Sequence, residues 1–346
     1  MNMKKKKTQH RATFTIRGHR AGLVIIAVWV VIGILIGGWY FGVRSTVRVD
    51  TTFLIEHGAS VGGVARELRN RELISSTHVF RAAVRMNGGI VQRGLYDIPA
   101  GTGTMRIASM MANGRVATTT VMIPEGSTVR QIVNILNRNP YLTGVACQPN
   151  ACPEDGMLFP DTYRVARGTS RAAVIQLMRN RMIDIQMQKE QGIDDGFPAP
   201  LTSWHDVINL AAIVQRETSI PREMPKVAGV FINRLRINMR LQADPTVVYF
   251  VTEGLGDMGG RPLLRRHLQT PHPFNTYTNR GLPPHAIANP GRHAIAAVLN
   301  YKNHNYLFFV ADGTGGHIFS RTYAEHRIRH QEWRVIRAEI RAGTRN

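Results

Sequence analysis

Twenty-three consecutive uncharged residues, Ala21 to Val43, constrain this chain more than any other feature. At about 1.5 Å per residue, a helix of that length reaches across the apolar core of a bilayer with some tilt. The first 20 residues carry seven basic side chains (Lys4, Lys5, Lys6, Lys7, Arg11, Arg17 and Arg20) and no acid. The 20 residues after the run carry only Arg44 and Arg48, against Asp50 and Glu56. This asymmetry predicts a cytoplasmic N-terminus and export of everything beyond about residue 44. The run is long for the apolar core of a signal peptide. The stretch Arg44-Ser45-Thr46-Val47-Arg48 lacks a small-x-small cleavage site, so an uncleaved anchor is the expectation.

The net charge of +21 raises the question of nucleic acid. Topology answers it: seven of the 44 basic residues belong to the tail, which leaves +14 on the exported side. There the expected counterparts are anionic headgroups or a polyanionic wall polymer, and no nucleic acid. About 300 residues outside the span suffice for two domains with cores of their own. An exported compartment permits a disulfide between Cys147 and Cys152, the chain's two cysteines. Zinc is the rival reading, but nothing nearby completes four ligands; free thiols are the remaining case.

Along the chain, residues 47–58 alternate as a strand, and Ser60–Leu68 and Ser76–Met86 have helical spacing. Gly94–Ile98 is strand-like, and Thr104–Ala112 is a short helix closed by Asn113-Gly114. The phrase Phe53–Val61 then recurs as Val121–Val129: strand, glycine turn, capping Ser or Thr, helix. Two such β-α units resemble small wall-binding modules of the LysM type. Residues 137–170 read as one irregular stretch, followed by a helix over Ser170–Glu190 and a Gly/Pro-rich loop over Gly192–Pro200.

The chemistry is concentrated after residue 200. Ser203-Trp204-His205-Asp206 resembles a capping box, opening a helix that runs to about Ser219. Leu210, Ile213, Val214 and Glu217 fall at i, i+3, i+4, i+7, which sets a carboxyl on an apolar face. Such a group is paired, hydrogen-bonded or kept protonated. A protonated carboxyl is a general acid; a glutamate paired with Arg216 or Arg234 is a structural element. A second helix, Glu223–Arg236, carries Asn233. Gln242, Asp244, Thr246 and Tyr249 follow, then Asn275 and Tyr277. Amides, hydroxyls and tyrosines suit a sugar cleft, and they are also ordinary loop residues. The chain closes with a hairpin whose Gly-rich turn, Asp312–Gly316, precedes His317 and has no phosphate-loop lysine. His326 and His330 stand at i, i+4, without the glutamate of a metalloprotease motif. No nucleophile elbow is present, and neither cofactor nor metal is expected.

Several phrases together resemble the endolytic murein transglycosylases, the MltG- or YceG-like proteins of bacterial inner membranes. They are Ile123–Gly126, Phe159–Tyr163, Ile213–Thr218, Val227–Leu235, Leu241–Val247, Asn275–Tyr277 with Gly281–Pro284, Asn289–Gly291 and Phe309–His317. The resemblance covers roughly residues 48–335 and the N-terminal span. It departs at Gln215-Arg216, where a glutamate and a lysine would be expected.

The resemblance implies an α+β fold in four parts: a cytoplasmic basic tail (1–20), a single transmembrane helix (21–43), a LysM-like module (44–120) and a catalytic domain (121–346). It implies a lyase of the inner membrane whose catalytic domain is periplasmic. That enzyme cuts nascent peptidoglycan strands between N-acetylmuramic acid and N-acetylglucosamine and leaves 1,6-anhydro ends. Glu217 takes the catalytic position. Asn233, Gln242, Asp244, Thr246, Tyr249, Asn275, Tyr277 and His317 are candidate substrate contacts, and wall synthases are candidate partners. Two rivals remain: a non-catalytic wall-binding scaffold for synthases, and a hydrolase with Asp244 or Asp161 as second carboxylate.

Overall fold

The computed structural model describes residues 16–43, 46–148, 150–192 and 196–341. Most of the expected cytoplasmic tail, including Lys4 to Lys7 and Arg11, lies outside the described residues. Helix α1 runs over Ile16–Val43. Among the described residues no helix is long and apolar enough to cross a membrane. The described apolar side chains of α1 are exposed: Val24, Trp29, Ile34 and Leu35 are each more than 60 % accessible.

The chain divides into two compact units, Met1–Ala117 and Thr118–Asn346. In the first, β1 (Thr51–Ile55) is followed by α2 (Val61–Asn70) and α3 (Thr77–Met86), and then by β2 (Gly94–Ile98) and α4 (Thr104–Ala112). The strand expected over residues 47–58 shortens to five residues, because its antiparallel partner β2 offers only five. Gly58, at φ 79°, turns the chain away. Ser60 Oγ accepts the Gly63 N–H and Ser76 Oγ the Val79 N–H, caps worth about 1 kcal/mol each. Leu68, Phe80 and Met111 from the helices close on Phe53, Tyr96 and Ile98 from the strands. The buried Tyr96 hydroxyl donates to Gln92 O at 2.7 Å, so its polar end is satisfied inside an apolar core.

The second unit opens with β3 (Thr118–Met122) and α5 (Val129–Arg138). The two β-α phrases that resemble each other in sequence therefore belong to different units and do not pair together. β1 finds β2, while β3 finds β4 (Thr162–Ala166), antiparallel, with Val121 opposite Tyr163. β4 lies inside the stretch read as irregular; so short a strand exists only through its distant partner. Cys147 and Cys152, in the loop before it, are joined as a disulfide with Cα atoms 5.1 Å apart. Helix α6 (Arg171–Glu190), capped by Ser170, packs Val174 and Met178 against Ile132, Leu136 and Leu158.

The larger core is built on α7 (Trp204–Glu217). Every residue from Val207 to Val214 is buried, so this middle stretch of the helix has no solvent face and serves as the domain's axis. Helix α8 (Met224–Arg236) packs on it. Residues 241–249, read from sequence as hydrogen-bonding groups that are also ordinary loop formers, run into α9 (Asp244–Val251), with Pro245 in its first turn. Then come α10 (Arg265–Gln269) and α11 (Arg292–Leu299), which packs on both α7 and α8, and the hairpin β5 (Phe308–Ala311) and β6 (His317–Ser320). Last is α12 (Tyr323–Arg341), laid against that hairpin. Asn289, wholly buried, ties three loops: its Oδ1 accepts from Gly156 N and Leu158 N at 3.0 and 2.9 Å, and its Nδ2 donates to Ser127 O at 2.9 Å.

Candidate active site

The central helix ends at Glu217, two residues short of the expected Ser219. Thr218 turns into extended backbone at φ −141°. The ending is framed from behind. Gln215 Oε1 accepts the Gly291 N–H at 3.0 Å, and Arg216 Nη2 donates to Gly256 O at 2.5 Å. The two residues that depart from the family phrase thus serve as braces.

Glu217 faces a cleft of ≈ 390 Å³, which it lines with Arg234, Gln242, Asp244 and Tyr277. Gln242 sits at φ 49°, a left-handed conformation uncommon for a side-chain-bearing residue. Its N–H donates to Thr276 O at 3.1 Å, and the next N–H, of Ala243, donates to Thr276 Oγ1 at 3.0 Å. Such local strain, held by surrounding hydrogen bonds, is typical of ligand sites. Asp244, the first residue of α9, accepts the Tyr277 hydroxyl at 2.5 Å.

Among the described residues no cation nitrogen lies within ion-pairing distance of Glu217. Arg216 is committed to Gly256. Arg234 is buried and donates through Nε to Leu307 O at 2.6 Å and through Nη1 to Leu241 O. Desolvation pushes the Glu217 carboxyl up to about 8; the charge of Asp244 adds to this, and that of Arg234 opposes it. At neutral pH Glu217 therefore holds its proton, in an open cleft, beside an anionic neighbour. A carboxyl in that state can give a proton to a bound oxygen and take one back.

The candidate contacts divide. Gln242, Asp244 and Tyr277 line the cleft. Asn233 does not: its Nδ2 donates to His304 O and Tyr306 O at 2.6 and 3.1 Å and pins the approach to the hairpin. Thr246, fully buried, donates to Ala243 O at 2.7 Å. Asn275, also buried, donates to Leu268 O and Thr270 O. The Tyr249 hydroxyl donates to Asp155 Oδ2 at 2.7 Å, beside a separate cavity of ≈ 620 Å³ between α6 and the start of α7. His317 is held by Glu223, Nδ1 to Oε2 at 2.8 Å, and fixes the hairpin to the start of α8. Asp161 is spent on the neighbouring Thr162 N–H at 2.7 Å.

Arg234 escaped the sequence reading as a cleft residue, although its signal was present. Val227, Val230, Phe231 and Arg234 repeat the i, i+3, i+4, i+7 spacing that exposed Glu217. Phe308, His326 and His330 also line the cleft. Sequence offered the two histidines only as a metal pair; among the described residues no cluster of three or more metal-ligating side chains forms.

The sequence pattern of the YceG-like family matches residues 53–332. The chain belongs to the YceG-like family. A Bacillus subtilis (strain 168) protein named endolytic murein transglycosylase is 27 % identical over 319 residues, covering 82 % of this chain and 83 % of that one. A Streptococcus pneumoniae serotype 2 (strain D39 / NCTC 7466) protein of the same name is 23 % identical, covering 87 % of this chain and 65 % of that one. A crystal structure of a yceG-like protein from Listeria monocytogenes aligns at a TM-score of 0.49 and 27 % identity, covering 81 % of this chain and 99 % of that one. This YceG-like chain places Glu217, Arg234, Gln242, Asp244 and Tyr277 inside the family match.

Proposed function

We propose that this chain is an endolytic murein transglycosylase, a lyase that cuts peptidoglycan glycan strands internally. The observation that carries the mechanism is the Glu217 carboxyl, held up to about 8 at the edge of an accessible cleft. Glu217 protonates the oxygen leaving N-acetylmuramic acid. The sugar's own acetamide meets the positive charge that develops at C1, a route that requires no second carboxylate. The ionised Glu217 then removes the proton of the C6 hydroxyl, which attacks C1 and closes the 1,6-anhydro ring. The carboxyl ends as it began. Burial, aided by the neighbouring Asp244 charge, keeps Glu217 protonated between turnovers, and the Arg234 charge tempers the cost when it ionises.

The relatives' names and the family match support this reading over a wall-binding scaffold. So does the lack of an ion pair at Glu217 among the described residues. The uncharged run Ala21–Val43 and the exposed apolar side chains of α1 support a single membrane anchor, with the basic tail in the cytoplasm. In this arrangement the enzyme acts where new strands emerge and sets their length, beside the synthases that make them. The β1-α2-α3-β2 unit, a LysM-like module, holds the strand.

Mass spectrometry of glycan treated with the purified chain tests the activity. Anhydro ends are expected; new reducing ends would mean a hydrolase, and no products would leave the scaffold. For the anchor, a reporter active only after export is expected to work fused after Asn346 and to fail fused within residues 1–20. The opposite pattern would remove the anchor.

A further inference from the structure

His326 has no part in the acid chemistry assigned to Glu217, yet it lines the same cleft. It comes from α12, and its ring stacks on Phe308 with centroids 5.1 Å apart and planes 20° from parallel. Its Nδ1 is buried and has no hydrogen-bond partner among the described residues. Burial, with the charges of His330 and Arg234 behind it, holds the imidazole below the ordinary histidine range. The ring is therefore neutral near pH 7, with one donor and one acceptor. The stack asks only for an aromatic ring, which phenylalanine would supply. The unmet nitrogen costs stability, because a buried polar atom without a partner forfeits its hydrogen bond to water. A choice that weakens the fold at the wall of a cleft points to something that enters the cleft.

The occupant has to suit the surroundings. A sugar hydroxyl both donates and accepts, so it satisfies either tautomer of a neutral imidazole. Tyr323, also from α12 and 66 % exposed, offers an aromatic ring on the same wall, 5.9 Å from Phe308. Aromatic rings beside hydrogen-bonding groups match the apolar faces and polar rims of pyranose rings. A half-turn of His326 about its Cβ–Cγ bond keeps the stack and exchanges Nδ1 with a ring carbon. Either edge of the ring can therefore present a nitrogen while Phe308 stays in place.

We infer that His326 is a glycan-binding residue, whose neutral imidazole hydrogen-bonds a hydroxyl or acetamide group of a sugar seated beside the one Glu217 protonates. The inference rests on the proposed function for the identity of its ligand. It is tested by binding, in the whole chain carrying Glu217→Gln so that bound glycan is not cut. Calorimetry with purified peptidoglycan oligosaccharides compares this background with the same chain also carrying His326→Phe. The expected result is a Kd raised at least about tenfold, the scale of one well-placed hydrogen bond to a buried group, with Tm unchanged or higher. His326→Met, an adaptable apolar replacement, is expected to weaken binding similarly, and it serves if the phenylalanine variant does not fold. His326→Asn, which keeps a donor and an acceptor, is expected to recover part of the affinity. A folded Phe or Met variant that binds like the background overturns the inference. Wild-type chain that binds glycan but releases no anhydro ends would remove the lyase reading and leave the role of His326 standing.

Discussion

Replacing Glu217 by Gln keeps the shape of the side chain and removes both the proton and the capacity for charge. Two consequences follow from the geometry. Turnover should fall by at least about 10²–10⁴-fold, because one residue serves as acid and then as base. Stability should move the other way, in a pH-dependent manner. In the unfolded chain a glutamate ionises near 4.5, and in the fold Glu217 ionises near 8. Between those values the folded state holds a proton that the unfolded state has released, so the wild-type chain loses stability as pH rises through that window. Each pH unit there corresponds to about 1.4 kcal/mol. Solvent at the cleft reduces the total to about 3 kcal/mol. For a unit of this size that is roughly 6–12 °C in Tm. The variant lacks this loss. Its Tm should match wild type near pH 4.5 and exceed it at pH 8.5. The assay is paired: thermal unfolding at both pH values, beside release of anhydro-ended fragments. A variant that cuts at near wild-type rate, or whose Tm advantage does not grow with pH, would refute the reasoning.

Other perturbations separate the remaining roles. Asp244→Asn removes a charge that adds to burial in raising the Glu217 carboxyl, so the alkaline limb of the wild-type rate profile, expected near pH 8, should move down; a limb that stays in place would dissociate Asp244 from the acid. Asn289→Ala strips partners from Gly156 N, Leu158 N and Ser127 O and should cost about 3 kcal/mol by denaturant titration, since three buried groups lose their bonds. Cys147 and Cys152 should resist alkylation in protein purified from the exported compartment without reductant and label fully after reduction; labelling before reduction would exclude the bond in the cell.

The helices that open on a capping side chain were legible in the sequence because each carries its own period and its own cap, whereas α9 and α11, which have no capping side chain, were not read as helices. Ser60, Ser76, Thr128, Ser170 and Ser203 all accept from the first turn they precede. Glu217 was legible for a related reason: a carboxyl at an apolar position contradicts its own helix, and that contradiction can be read locally. The phrases of three to nine residues shared with a known family carried the function further than spacing could.

Strand β4 was not legible, because five alternating residues become a strand only when β3 lies beside them. Nor was the division among the candidate contacts. Asn233, Thr246 and Asn275 have the composition of a sugar site, yet the fold spends their hydrogen bonds on backbone carbonyls. Gln242, Asp244 and Tyr277 line the cleft instead. His326 is more than a hundred residues from Glu217 in sequence, and only the laying of α12 along the hairpin brings its ring to the same wall. Local pattern determined the capped, periodic helices and which carboxyl was out of place. Tertiary packing decided which polar groups were used up in holding the backbone and which were left for a ligand, because a hydrogen bond is satisfied by whatever partner the fold brings within reach.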